Sequence, residues 1–140
     1  QLTFDGTFLT TPAIKSTVYF GNVSPELVLA GHLGPTPMAL AAHMAIIFED
    51  ANAGTQVELP DPNAAPNIIT RIVNLSSRAQ TITVAGGILI YQTMVGAPNL
   101  VLPAGIGVTL MAFTDSLTIP ADGAQAPIVG PCWIVVDSEL

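Results

Sequence analysis

The stretches Gln80-Thr-Ile-Thr-Val84 and Gly107-Val-Thr-Leu-Met-Ala-Phe113 decide the fold, because two kinds of side chain alternate along each of them. In the first, aliphatic residues alternate with threonines, and in the second Val, Leu and Ala alternate with Thr and Met. A period of two places successive side chains on opposite faces of a β-strand. Both stretches therefore predict strands that bury one face and expose an uncharged one.

Outside these stretches, 12 Pro and 12 Gly residues interrupt the chain and leave little room for a helix of ordinary length. Short runs rich in branched residues recur between the turns, a spacing typical of β-sandwiches and barrels. We therefore predict an all-β fold, an antiparallel sandwich or barrel of jelly-roll type, with little or no helix. The predicted strands are Ser16 to Phe20, Glu26 to Ala30, Met44 to Glu49, Gln56 to Leu59, Ile68 to Asn74, Gln80 to Ala85, Leu89 to Thr93, Leu100 to Leu102, Gly107 to Phe113 and Trp133 to Asp137.

The length of the chain predicts one β domain over residues 1–140, with a single core. The opening 30 residues carry few periodic signals and are expected to form an arm or an edge hairpin. Gln1 to Lys15 are the candidate for an extended N-terminal arm that reaches a neighbouring subunit, since exposed strand edges accept such segments.

Charge is scarce in this sequence. Three basic and ten acidic residues make up 9% of the 140, and none lies between Ala79 and Thr114. A soluble domain normally carries about a quarter of its residues as charged ones. We therefore expect apolar surface to be buried against other protein chains, in an obligate oligomer or a larger shell.

Membranes and nucleic acid are not expected partners. The apolar segment Met38 to Phe48 is shorter than the roughly 20 residues of a membrane-spanning helix, and the chain opens without the features of a signal peptide. The formal net charge is −7, and Lys15, Arg71 and Arg78 are the basic residues. This balance removes the electrostatic attraction on which nucleic-acid binding depends.

The acidic residues offer little for catalysis or metal binding. Glu49 and Asp50 are adjacent, so a strand would point them to opposite faces. Asp115 and Asp122 flank a loop and are weak candidates for a calcium site, because no run of closely spaced ligands accompanies them. We expect most of the acidic residues to be solvated at turns and strand ends; they are Asp5, Glu26, Glu49, Asp50, Glu58, Asp61, Asp115, Asp122, Asp137 and Glu139.

His32 and His43 lie 11 positions apart with no third His or Cys at ligand spacing, which disfavours a zinc site within one subunit. One His from each subunit meeting on a symmetry axis remains open as a way to hold an ion, although a hydrogen-bonded interface His is favoured over it. No nucleophile elbow, phosphate-binding loop or zinc-protease motif occurs. We therefore predict no enzyme activity, no catalytic or metal-binding residues and no cofactor.

Cysteine and aromatic residues are also few. Cys132 is the single cysteine, which excludes an internal disulfide, and its apolar surroundings favour a buried inert thiol. Tyr19, Phe20, Tyr91 and Trp133 are the candidates for a sugar-stacking platform. Trp133 stands on the apolar run Trp133-Ile-Val-Val136, where a role in the core is favoured.

The order of motifs between residues 54 and 137 carries a further signal. A strand ending in Leu-Pro is followed by a strand ending near Asn, a Thr/Val strand, a Leu-Pro-x-Gly turn and a final Trp-x-Val strand. The motifs are Gly54-Thr-Gln-Val-Glu-Leu-Pro60, Asn67-Ile-Ile-Thr-Arg-Ile-Val-Asn-Leu75, Gln80-Thr-Ile-Thr-Val84, Leu100-Val-Leu-Pro-Ala-Gly105, Val108-Thr-Leu110 and Trp133-Ile-Val-Val136.

This order resembles the β module of tailed-bacteriophage virion proteins, which include head decoration proteins and fibre tips. The resemblance implies a homotrimer on the outer surface of a phage head, where it acts as a decoration or cement protein and contacts the major capsid protein. The segment Asp115 to Pro131 departs from the module in its length and its Pro and Ala content, and is expected to be a projecting loop or a subunit contact. Alternatives are a tail-fibre or head-fibre domain that binds a host receptor, and a carbohydrate-binding jelly-roll module.

Overall fold

The computed structural model of the chain describes residues 3–4, 9–10, 26–28, 36–48 and 54–140. These residues form short β-strands and one 3-10 turn at Ala85–Gly87, so the all-β prediction is confirmed. The strands are β1 (Thr3–Phe4), β2 (Leu9–Thr10), β3 (Glu26–Val28), β4 (Thr36–Pro37), β5 (Met44–Ile47), β6 (Gly54–Leu59), β7 (Ile69–Asn74), β8 (Gln80–Val84), β9 (Ile90–Tyr91), β10 (Gly96–Ala97), β11 (Asn99–Leu102), β12 (Gly107–Phe113), β13 (Thr118–Ile119), β14 (Ile128–Val129) and β15 (Cys132–Ser138).

Two sheets form the body of the sandwich. One has seven strands in the order β10-β9-β15-β12-β7-β5-β3, and the other has four in the order β11-β8-β6-β4. Two further pairs, β1 with β2 and β13 with β14, form separate antiparallel hairpins. Neither large sheet closes into a barrel through the described strands, so the sandwich is the form the fold takes.

The sheets are mixed, whereas the sequence predicted antiparallel ones. From β3 to β8 the chain alternates between the two sheets, so neighbouring strands of one sheet are separated by a strand of the other. Such crossovers bring the chain back in the same direction, and β3, β5 and β7 are parallel, as are β4, β6 and β8. Within the two large sheets, the antiparallel pairs are β7 with β12, β12 with β15, β9 with β10 and β8 with β11.

The core lies between the two sheets and follows the alternation that the sequence predicted. In β8 the threonines are half-exposed and the residues between them are buried, and β12 repeats this pattern over the predicted range Gly107–Phe113. Trp133 is fully buried, as expected. The buried apolar cluster consists of Met38, Ala45, Ile47, Val57, Leu59, Ile72, Ile82, Val84, Ile90, Leu100, Leu102, Val108, Leu110, Ala112 and Trp133.

Several predicted boundaries need correction. Leu89 to Thr93 contains only the two-residue strand β9, and the strand predicted at Leu100 to Leu102 begins one residue earlier as β11. The segment Asp115 to Pro131 is a hairpin made of β13 and β14, where the sequence indicated a loop. The predicted strand Ser16 to Phe20 lies outside the described residues.

A buried polar cluster explains one of the sequence motifs. Asn74, the last residue of β7, is fully buried, and its Nδ2 donates to the carbonyls of Arg78 at 2.7 Å and Leu102 at 2.9 Å. Its Oδ1 accepts from the Ser76 N–H at 3.0 Å and the Ser76 hydroxyl at 2.6 Å. Gln80 joins through its Nε2, which donates to Ser76 Oγ at 3.1 Å. One side chain therefore joins the β7–β8 turn to the end of β11.

The backbone of Asn74 also makes hydrogen bonds at the Leu-Pro-x-Gly turn that ends at Gly105. Its N–H donates to the Ile106 carbonyl at 2.9 Å, and its own carbonyl accepts from the Gly105 N–H at 2.7 Å. Gly105 has a φ of 76°, a left-handed conformation that favours glycine. In the final motif, Trp133 Nε1 donates at 3.0 Å to the carbonyl of Pro60, which ends the first motif. These motif residues therefore have structural roles: they tie strand ends of the two sheets together.

Candidate interaction surface

The outer faces of the two sheets differ in chemistry. On the four-stranded sheet the register places Thr81 beside Val101 and Thr83 between Asn99 and Glu58. These residues are half-exposed or exposed, and all but one of them are polar. Glu58 is the one charged residue among them and the others are neutral, so this face is solvated with little net charge.

The outer face of the seven-stranded sheet is mainly apolar. Register pairs align Tyr91, Ile134, Met111 and Ile69 in one row across β9, β15, β12 and β7. Tyr91, Ile134 and Met111 are half-exposed, and Ile69 is 48% exposed. A row of large apolar side chains across four strands is a feature of surfaces that meet other proteins. We call this set the apolar row.

An ion pair lies beside the apolar row. Arg71 Nη2 donates to Glu139 Oε1 at 3.0 Å, and Arg71 Nη1 donates to Thr109 Oγ1 at 3.2 Å. The other oxygen of Glu139 accepts from the Gly107 N–H at 2.6 Å. Gly107 leaves space for the guanidinium, because a Cβ there would lie 2.6 Å from Arg71 Nη2. The pair neutralises both charges, and its partial exposure limits its contribution to stability to less than about 1 kcal/mol.

One segment forms the edge of both sheets. Gly96–Leu102, which we call the edge segment, contains β10 at one end of the seven-stranded order and β11 at one end of the four-stranded order. Pro98 stands between the two strands, so every residue of β11 keeps its N–H. No described strand pairs with the outer side of either strand. Within the described residues, the edge segment is therefore an unpaired, uncharged sheet edge.

The β13–β14 hairpin projects from the sandwich. All residues from 120 to 127 are exposed, and the tip is closed by a bond from the Gln125 N–H to the Asp122 carbonyl at 2.9 Å. Ile128 is buried at its base. Gly130 approaches the Thr114 carbonyl so closely that a Cβ at that position would overlap it. The tip contains no aromatic residue, which leaves it poorly equipped to stack on a ligand ring.

The residues considered for metal binding are dispersed. Asp115 lies at the base of the hairpin, where its N–H donates to Asn63 Oδ1 at 3.1 Å, whereas Asp122 lies at the tip. Within the described ranges no group of three or more His, Cys, Asp or Glu is placed to hold a metal ion. His43 is exposed, and its backbone carbonyl accepts from the Arg71 N–H at 3.0 Å. The geometry thus gives the calcium hypothesis no support.

Cys132 is fully buried, as predicted. Burial raises the pKa of its thiol, because desolvation disfavours the thiolate. A thiol held in the neutral form and shielded from solvent is a poor nucleophile. Cys132 therefore fits a structural role better than a reactive one.

Two of the four candidate aromatic residues can be placed. Trp133 is fully buried with its N–H bonded to Pro60, so it offers no stacking face. Tyr91 is half-exposed and lies against Gly96, where a Cβ would meet its ring at 2.7 Å. Tyr19 and Phe20 fall outside the described residues. The same is true of other residues discussed above: Asp5, Lys15, His32, Glu49 and Asp50.

The described part of the chain exposes many large apolar residues relative to its number of charged ones. Over 36–48 and 57–140, where side chains are described, there are eight charged residues: Glu58, Asp61, Arg71, Arg78, Asp115, Asp122, Asp137 and Glu139. Ten large apolar residues are exposed over the same ranges: Leu40, Phe48, Ile69, Leu75, Leu89, Val95, Val101, Val129, Val136 and Leu140. Exposed large apolar residues therefore outnumber charged ones.

Sequence reasoning missed the Asn74 cluster and the Arg71–Glu139 pair. The available signal for the first was a run of Asn, Ser and Gln at positions 74, 76 and 80, but such polar residues at a turn ordinarily indicate solvation. Nothing local connects Arg71 with Glu139, which lie 68 positions apart. That contact depends on how β7 and β15 flank β12.

Comparison with models of known protein families, with curated proteins and with solved structures finds no match for this chain. The resemblance in motif order therefore stays a prediction. In the described part of the chain, no helix combines the length and apolarity needed to cross a bilayer.

Proposed function

We propose that this chain is a non-enzymatic structural virion protein, a decoration or cement protein that stabilises a tailed-phage head as a homotrimer. The observation that carries the proposal is the excess of exposed large apolar residues over charged ones in the described part of the chain. A protein of this kind gains by burying its surface against copies of itself and against a shell. The confirmed sandwich fold and the motif order support the same conclusion.

The apolar row is the surface we assign to the major capsid protein. It spans four strands of one sheet, and the neighbouring Arg71–Glu139 pair adds no net charge. Each contact needs only modest affinity, because many copies bound to one shell act together through avidity. The cement function then follows from bridging neighbouring capsid subunits.

The alternatives receive less support. A receptor-binding fibre tip would present aromatic and polar clusters, but the exposed hairpin tip from 120 to 127 consists mostly of Ala, Pro and Gly. A carbohydrate-binding module needs a stacking face, and the indole of Trp133 is fully buried. No specific observation favours either alternative over the cement function.

Co-sedimentation with heads tests the proposal. Purified protein is mixed with expanded heads of the parent phage assembled without it, and the pelleted fraction and the temperature of head disruption are measured. We expect saturable binding and greater thermal resistance of the heads. The proposal is wrong if the protein stays in the supernatant at every concentration.

Two variants locate the contact. Ile69→Lys places a charge in the apolar row at a residue that is 48% exposed, and we expect it to weaken head binding about tenfold or more. Val129→Lys makes the same charge change on the hairpin at a residue that is 53% exposed, and should bind as the wild type does. Equal binding by both variants would reject the apolar row as the contact while leaving the function open.

A further inference from the structure

We propose that the edge segment Gly96–Leu102 joins two copies of this chain, through antiparallel pairing of β11 with β11 of a second copy. The inference rests on the proposed function in one respect, that the chain works as an oligomer. It adds the location of a contact, its chemistry and its two-fold symmetry.

The two sides of the sandwich differ in how their sheet edges are protected. Proteins protect exposed sheet edges with charges and prolines, since an unprotected edge is a template for another strand. The edge strand β4 includes Pro37, and the edge strand β3 includes Glu26. On the other side, neither β10 nor β11 contains a charge or a proline. Among the described edges of the two large sheets, only this side lacks both kinds of protection; the two-residue strands of the hairpins β1–β2 and β13–β14 lack them as well.

The charge and the backbone groups of the edge indicate which partner it binds. In a chain of net charge −7, association is least opposed where both surfaces are uncharged. The partner must also offer an extended segment with free backbone groups. At four residues β11 is the longest described edge strand, and it carries no charge, so the complementary partner is a second copy of the same segment. An isologous contact places the same patch on both sides of a two-fold axis.

Exposed apolar side chains lie beside the edge segment. Val101 is 52% exposed on β11, Val95 is 65% exposed just before β10, and Leu89 is 38% exposed just before β9. Gly96 lies under the Tyr91 ring and the Leu89 side chain, where a Cβ would be 2.7 Å and 3.0 Å from their nearest atoms. Backbone pairing would supply direction and register, and these side chains would supply apolar contact.

Three valines of nearly equal exposure allow a matched test. Val101 lies on the edge segment, Val136 on β15 and Val129 on the hairpin, at 52%, 52% and 53% exposure. Each is changed to Lys in the full chain, and the native mass is measured from nanomolar to high-micromolar concentration. Circular dichroism and thermal unfolding check that each variant is folded. All three variants carry the same net charge, so long-range electrostatics cannot distinguish them.

We expect wild type, Val129→Lys and Val136→Lys to share one mass and Val101→Lys to show half of it. Across a two-fold axis a single substitution brings two lysines together, and like charges on paired strands repel. The dissociation constant of the pair should rise about tenfold or more. Together with a trimer, the contact gives six chains in the wild type and three in Val101→Lys.

Cross-linking provides a second readout that a loss of folding would not mimic. Val101→Cys treated with a short bis-maleimide should form a covalent dimer, whereas Val129→Cys should not; the buried Cys132 is present in both. A wild type that stays at three chains, or a Val101→Lys variant with the same mass as its controls, overturns the edge contact but leaves the proposed function standing. A wild type that is monomeric throughout overturns both.

Discussion

Asn74 should be one of the most sensitive positions in the chain. Replacing it with Ala removes the side-chain partner of the Ser76 N–H and one partner each of the Leu102 and Arg78 carbonyls. The Ser76 hydroxyl, 3.1 Å from the Arg78 carbonyl, can compensate at that atom. The Ser76 N–H and the Leu102 carbonyl are then each left short of a partner, at a cost of about 1–3 kcal/mol each. We therefore expect a loss of about 3–5 kcal/mol in the free energy of unfolding.

Urea unfolding at fixed protein concentration measures this loss, with Trp133, the single tryptophan, as the fluorescent reporter in the core. Asn74→Asp keeps the shape but turns an oxygen toward two carbonyls, so it should lose at least as much stability as Asn74→Ala. Gln125→Ala, at an exposed amide side chain on the β13–β14 hairpin, is the control and should change stability by less than about 0.5 kcal/mol. A loss below about 1 kcal/mol for Asn74→Ala would refute the structural role of this cluster.

Three further predictions concern the β15 side of the molecule. Trp133→Phe removes the N–H donated to Pro60 and shrinks a core side chain, which should lower stability by about 1–3 kcal/mol in thermal unfolding; an unchanged midpoint would contradict the buried hydrogen bond. Gly130→Ala forces the Thr114 backbone to move, at about 1–3 kcal/mol, and wild-type stability would show that the two segments do not approach. The Cys132 thiol should react with a thiol reagent only after unfolding. Rapid modification of the native protein would contradict this burial. Because the pKa of the thiol is raised in the folded state, the stability that the buried neutral thiol contributes is present below the ordinary thiol pKa and is lost as pH rises through the raised pKa.

Local strand patterns were the part of the fold that the sequence could predict. Gly107–Phe113 has the predicted bounds, and the predicted strand at Met44 begins there, because alternation and branched residues act within a few positions. Strand pairing was not predictable in the same way. The parallel pairs arise from alternation of the chain between sheets, which no local pattern encodes.

The sequence could predict that an uncharged surface would meet other chains, but it could not predict where on the fold that surface lies. The lack of charge from Ala79 to Thr114 indicated buried or partnered surface, but not that Gly96–Leu102 would be the edge of both sheets. The apolar row combines Tyr91, Ile134 and Ile69, which come together only through the register of four strands. The hairpin of β13 and β14 was missed because its two-residue strands are too short to show a period.

Native mass by light scattering, measured on the purified chain down to nanomolar concentration, tests the central claim most directly. The claim is that other chains cover the charge-poor surface. It predicts a mass that is a multiple of three chains and is constant across the dilution series. A stable, soluble monomer at every concentration would contradict the claim, because the exposed apolar residues would then need no partner.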